Sequence, residues 1–167
     1  MSVGNKLKMT VLSAVFGALL MAIQVAIGFL PNIELVTTLT MVFGACCGGY
    51  VFISVYVFVL LGGLIYGFNL WWLGYLYVWL IPAIVGILMR RVNNPIFHAA
   101  FAAIFGLLFG LLMSPPELIL GKQEALAYLI AGIPFDIMHC VGNGVLTVLL
   151  YSPLKKALAK SLKKIKN

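Results

Sequence analysis

Charge is what this sequence has least of. Of its 167 residues, 9% are Asp, Glu, Lys or Arg, and four of those are acidic. A soluble domain carries about 25%. With 63% hydrophobic residues, the shortage excludes an ordinary soluble core and predicts an all-α integral membrane protein. At ~20 residues per helical span, there is room for about six spans. Cysteine is also sparse. Cys46 and Cys47 are adjacent and Cys140 stands apart, which gives neither a disulfide framework nor a metal-ligand spacing. All three read as small apolar fillers. The first apolar run, Val11 to Leu30, has no clear small-residue cleavage site and is long enough to span, so it is expected to be a retained first helix. There is no Ser-centred nucleophile elbow, no H-E-x-x-H and no phosphate-binding glycine loop. No catalytic residue, no resident metal and no cofactor are therefore expected. If ATP powers the protein, another chain binds it.

The few charges are unevenly placed. Net charge is +7, which could suggest nucleic acid, but the cations flank the apolar runs. Lys6 and Lys8 stand at the start, Arg90 and Arg91 in mid-chain, and six lysines from Lys155 to Lys166; only Lys122 lies elsewhere. The expected spans are 7–30, 34–48, 50–68, 71–89, 95–114 and 125–152. The breaks between them are "LPNIE", "CCGGY", "GFN", "RRVNNP" and "SPPELILGKQE". The second span is short, so it is tilted or crosses only in part. Six spans starting inside put ten of the eleven Lys and Arg on one side, together with both termini. The excess of cationic residues on the cytoplasmic side makes that side the cytoplasm. Residues 1–167 then form one six-helix membrane domain. Residues 152–167, "SPLKKALAKSLKKIKN", form a basic amphipathic tail suited to an anionic lipid surface. The partner is a bilayer, and no nucleic acid is expected.

Three constellations stand out. In the first helix, Ala14, Ala18, Ala22 and Ala26 recur every fourth residue. Such a small-residue stripe lets another helix approach closely. It packs either within this chain or against a partner subunit. "YGFNLWWLGYLYVW" (66–79) is half aromatic. Trp71 and Trp72 suit a membrane-interface belt, while Trp72, Tyr75 and Trp79 at i, i+3 and i+7 share a face. That face is either a ligand wall or protein core. In "GIPFDIMHCVGNG" (132–144), Asp136, His139 and Asn143 repeat the same spacing. Asp136 would lie roughly 16 Å from the start of its helix, near the middle of a ~30 Å hydrocarbon layer. A lone central Asp costs about 3 kcal/mol on insertion scales, so the polar face must meet protein or a watery cavity. Pro134 frees a backbone carbonyl one turn earlier. Three readings compete: a structural cluster in which Asp136 fixes the His139 tautomer, the floor of a ligand pocket, or a proton relay. Asn32 and Glu34, between the first two spans, are either loop and helix cap or a lid over a pocket.

These stretches carry a resemblance. "AVFGALLMA" is similar to an Ala-x-x-x-Ala docking face. "LPNIELVT", "LWWLGYLYVW" and "GIPFDIMHCVGNGVL" are similar to a cobalamin-type subgroup of the same family. Over its whole length the chain resembles the substrate-binding (S) component of an energy-coupling factor (ECF) vitamin transporter. The resemblance implies a multi-pass protein of a bacterial plasma membrane that captures a vitamin from outside. The pocket would lie in the outer halves of helices 4 to 6. Partners would be a transmembrane coupling protein (T component) and two cytoplasmic ATPases, and ATP hydrolysis would topple the S component inward. Ala14, Ala18 and Ala22 would dock. Asn32 and Glu34 would belong to the lid. Tyr66, Asn69, Trp72, Tyr75, Trp79, Asp136, His139 and Asn143 would meet the ligand. Cobalamin or a precursor is the favoured substrate. The residues themselves pull toward a small flat ring, such as pyridoxine or a hydroxymethylpyrimidine. The rivals are a proton-coupled carrier using Asp136 and His139, an intramembrane enzyme and a purely structural protein. Composition and spacing give only a membrane binding protein with a polar, aromatic cavity.

Overall fold

The computed structural model describes residues 3–30 and 33–166. Among them every regular element is helical. The first, α1 (Val3–Ala26), runs 24 residues without a proline, about 36 Å at 1.5 Å per residue. It buries Ser13, Gly17, Leu20 and Met21, mostly against α3 (Val51–Tyr66). A Cβ at Gly17 would stand 2.5 Å from the Ser54 carbonyl oxygen, so glycine is what allows this approach. Ser54 Oγ donates to the Ser13 carbonyl at 2.8 Å, a polar tie suited to helices packed in lipid.

Between them in sequence comes α2 (Val36–Cys47), joined to α3 by a 3-10 turn at Gly48–Tyr50. Gly48 has φ +61°, a backbone state that glycine adopts without steric cost. The chain turns back there. α2 runs in the same sense as α8 (Lys122–Lys166), with Glu34 against His139 and Cys46 against Lys155. α3 instead runs with α1, Ser54 against Ser13 and Gly62 near Met21.

The span expected over 71–89 is two helices, α4 (Leu70–Val78) and α5 (Leu80–Leu88), interrupted at Trp79. Pro82 explains the interruption: it has no N–H for the Val78 carbonyl one turn back. The span expected over 95–114 is also divided, into α6 (Pro95–Leu107) and α7 (Phe109–Met113). α6 opens with a proline, and Asn94 Oδ1 accepts the Ile96 N–H at 3.0 Å, a standard helix start. Its irregular end at Leu108 lies between Gly106 and Gly110, where helix preference is weakest.

Among the described residues, four apolar helical runs are long enough to cross a membrane: Val3–Ala26, Val36–Tyr66, Leu70–Arg91 and Lys122–Lys163; Pro95–Leu107 is apolar but shorter. The second of these contains the Gly48 reversal. α8 is turned inside out relative to a helix of a soluble protein. Its buried stripe is His139, Asn143, Thr147 and Tyr151, at 4%, 0%, 0% and 1% exposure. Its exposed stripe is Ile133, Ile137, Val141, Val145 and Leu149, each more than half exposed. Both stripes repeat every four residues, so polar groups face protein and apolar groups face outward. In water that arrangement would be costly; in hydrocarbon it is what backbone and side-chain polarity require. The expected basic tail does not begin a new element, because α8 continues through it to Lys166.

Candidate functional site

Glu34 is the centre of the site. It stands two residues ahead of α2 and is 6% exposed. Its Oε2 accepts the Thr37 N–H at 2.9 Å, which caps the first turn of α2 where a carboxylate also meets the helix dipole favourably. Its Oε1 accepts the Thr37 hydroxyl and faces His139 Nε2 at 3.2 Å. Burial pushes the Glu34 carboxyl up, but His139, as hydrogen-bond donor and as charge, and the two Thr37 bonds outweigh it, leaving the group below its ordinary value. The polar set continues inward along the α2–α8 seam. Asn143 Nδ2 donates to Thr37 Oγ1 at 3.4 Å, and the Thr38 and Thr147 hydroxyls share a hydrogen bond at 2.7 Å.

Above this seam lies a cavity of about 260 Å³. Glu34 and His139 meet Tyr75, Trp79, Phe109 and Gln24 around it. Two of these ring pairs, Tyr75–Trp79 and Phe109–His139, pack edge to face, and Trp79 is tilted against Phe109. Tyr75 and Trp79 centroids are 5.4 Å apart, Trp79 and Phe109 5.8 Å, and Phe109 and His139 4.8 Å. A second space of about 300 Å³ adjoins it through Gln24, Gly28 and Tyr75, and reaches Trp71 and Tyr66. Two polar atoms of the lining residues are buried without a partner among the described residues: Gln24 Oε1 and Trp79 Nε1.

The structure gathers some of the expected residues and disperses others. Glu34, Tyr75, Trp79 and His139 line the same space. Asn143 lies deeper in the seam, and its Oδ1 has no partner among the described residues. Trp72 does not extend the aromatic wall. Its indole donates to the Val59 carbonyl at 2.9 Å and packs over Gly63. Trp71 takes its place, 4.9 Å from Tyr75, so the wall follows an i, i+4, i+8 spacing rather than i, i+3, i+7. Tyr66 is exposed at the margin of the second space, and Asn69 is exposed just ahead of α4. Asn32 lies outside the described residues.

Asp136 does not orient His139. Its Oδ1 accepts the Gly110 N–H at 3.0 Å, one of the free donors in the first turn of α7. A Cβ at Gly110 would come within 2.5 Å of the carboxylate, so the glycine makes room for this cap. Asp136 borders a separate surface depression with Tyr128 and Phe135. The partner of His139 is Glu34, 105 residues away in sequence, and no local spacing could reveal it. Gln24 and Phe109 were also invisible, since each is a single residue in an apolar run. Trp71 carried a signal in its four-residue step to Tyr75 and Trp79.

The alanine stripe faces outward. Ala18 and Ala22 are exposed and Ala14 is half-buried, beside exposed Val15 and Leu19. Packing inside the molecule uses Ser13 and Gly17 instead. Family models, curated proteins and solved structures all return no match to this chain.

Proposed function

We propose that this chain is a vitamin-capturing S component of an ECF-type importer, set in a bacterial plasma membrane by six crossings with both termini in the cytoplasm. The observation that carries this reading is the cavity of about 260 Å³ where four aromatic or imidazole rings surround a buried, paired carboxylate. Binding sites for small molecules are concave and largely apolar, with a few placed polar groups, and this cavity has that make-up. It lies at the end of the bundle where α1 stops and α2 begins, away from the end where Lys155 Nζ donates to the Arg90 carbonyl. By the distribution of basic residues the cavity end is outside. The chain binds and does no chemistry. Its outward-facing Ala14, Ala18 and Ala22 supply the surface for a T component, which two ATPases serve. The size of the cavity favours a small aromatic vitamin over a corrinoid. Even with the adjoining space of about 300 Å³ it stays within the ~300–1,000 Å³ of drug-sized pockets, and a corrinoid is larger than a drug-sized ligand.

The test is a thermal-shift screen of the detergent-purified chain against vitamins and corrinoids, with no partner present. A ligand that binds only the folded state raises the melting temperature by mass action. The expected outcome is one strong stabiliser whose effect disappears in Trp79→Ala. If no compound of any class stabilises the protein, and coupling subunits do not co-purify with it, the reading is wrong.

A further inference from the structure

Asp136 is a carboxylate that the Glu34 cavity leaves unused. Tyr151 lies beside Lys155 at the proposed cytoplasmic end. Measured from there, Asp136 stands about 22 Å along α8, inside a ~30 Å hydrocarbon layer. Tyr128 stands about 34 Å along it, at the outer edge, where tyrosines settle. The two line one depression of about 330 Å³, together with Phe109, Gly132 and Phe135. It opens sideways: Phe135 is 50% exposed, and Ile133 and Ile137 beside it are more than half exposed. A carboxylate at that depth is costly unless it is paired. Asp136 has one hydrogen bond among the described residues, from the Gly110 N–H, and a carboxylate accepts about four. No Lys or Arg lines the depression among the described residues. The imidazole one turn along α8 is committed to Glu34. Glu117, on the 3-10 turn packed against α8, acts on the same Tyr128 phenol as Asp136 does. The depression is therefore anionic and aromatic, and aromatic faces attract cations too.

We propose that this depression is a second binding site, separate from the Glu34 cavity, for an organic ammonium group. The ammonium would meet the free acceptor positions of Asp136 and lie among the rings of Tyr128 and Phe135. Asp136 then acts twice, capping α7 through Oδ1 and holding the cation with what remains of its carboxylate. A sideways opening at the edge of the hydrocarbon layer suits the headgroup of a phospholipid such as phosphatidylethanolamine. A free amine carries the same chemistry. Nothing in this site depends on the Glu34 cavity holding a vitamin.

The full chain, purified in detergent, is exchanged against phosphatidylethanolamine and phosphatidylglycerol with identical acyl chains, and retained lipid is counted by native mass spectrometry. Ethanolamine and tetramethylammonium chloride, with sodium chloride as control, are tested on the same protein by melting temperature. Phosphatidylethanolamine is expected to be retained about tenfold over phosphatidylglycerol. Asp136→Asn keeps an oxygen for the Gly110 N–H and removes the charge. It is expected to erase that preference and to leave the Glu34 cavity's affinity for its ligand unchanged. Phe135→Leu, at an exposed ring, is expected to reduce the preference about threefold, and it keeps the test open if Asp136→Asn folds poorly. A preference for phosphatidylethanolamine that depends on Asp136, with no effect of free amines, would support the site and assign it to lipid. Stabilisation by free amines that is lost in Asp136→Asn would support it and assign it to a soluble amine. Equal retention of the two lipids without an amine effect, a preference for phosphatidylglycerol, or a preference unchanged in both variants would overturn it.

Discussion

Removing the Glu34 carboxylate takes three partners away at once: the Thr37 N–H, the Thr37 hydroxyl and the His139 ring. Breaking a buried pair by deleting one member costs about 3–5 kcal/mol, so Glu34→Ala is expected to destabilise by about 3 kcal/mol in a denaturation series. Glu34→Gln is expected to cost about half as much, since its amide oxygen still accepts from Thr37. Acid acts on the same group. Its folded pKa lies below the ordinary 4.5, so its contribution is complete above that value and fades as pH falls toward the lowered one. The melting temperature of the native protein is therefore expected to drop on acidification below 4.5, and Glu34→Gln to flatten that drop. Asp136 behaves differently. Because it caps α7 and stands outside the cavity, Asp136→Ala is expected to cost about 1 kcal/mol and to leave ligand affinity unchanged. Loss of binding in Asp136→Ala, with the melting temperature intact, would return Asp136 to the pocket.

Elements meet here through missing side chains. Where α2 crosses α5, a Cβ at Gly86 would lie 2.4 Å from the Met41 carbonyl oxygen and one at Gly44 would lie 2.8 Å from that of Ala83. Backbone on both sides leaves nothing free to yield. Gly86→Ala is thus expected to destabilise by about 1–3 kcal/mol through overpacking. Gly49→Ala, with open space around it, should change the melting temperature little; equal losses in the two would refute the close-crossing argument. On α1 the logic reverses. Ala18 is exposed and its helix holds α3 through Gly17, so Ala18→Leu should leave stability unchanged and, on the proposed importer reading, abolish co-purification with a coupling subunit. These packing faces mark the boundary of what a sequence can show. Apolar runs reveal the helices, because hydrocarbon length sets their size. Pro82 in "LIPAIV" signals the break at Trp79, since its missing N–H acts within one turn. The pairing of Glu34 with His139, and the choice of Gly17 over the alanines as the inner face, depend on how distant helices lie against each other, and no local period encodes that.

At the scale of the molecule, the proposed orientation rests on the length of α8 and the placement of cations. Its 45 residues extend roughly 68 Å, more than twice a ~30 Å hydrocarbon core. If the buried stripe from His139 to Tyr151 occupies the membrane, the excess emerges at both ends. At one end are Lys122 and Glu124. At the other, Lys155 reaches the Arg90 carbonyl at 2.8 Å and stands over the Tyr151 ring at 5.7 Å, which gathers the mid-chain and terminal basic groups at one face. On the proposed six-crossing topology ten cations share one side against one on the other, and cations are retained on the cytoplasmic side. A fluorescent protein that matures only in the cytoplasm, fused after Asn167, is therefore expected to fluoresce. Alkaline phosphatase, active only outside, is expected to work when inserted after Leu120 and to be silent after Arg91. A dark carboxy-terminal fusion with an active phosphatase at Arg91 would invert the molecule and put the Glu34 cavity on the cytoplasmic side, where capture from outside is impossible.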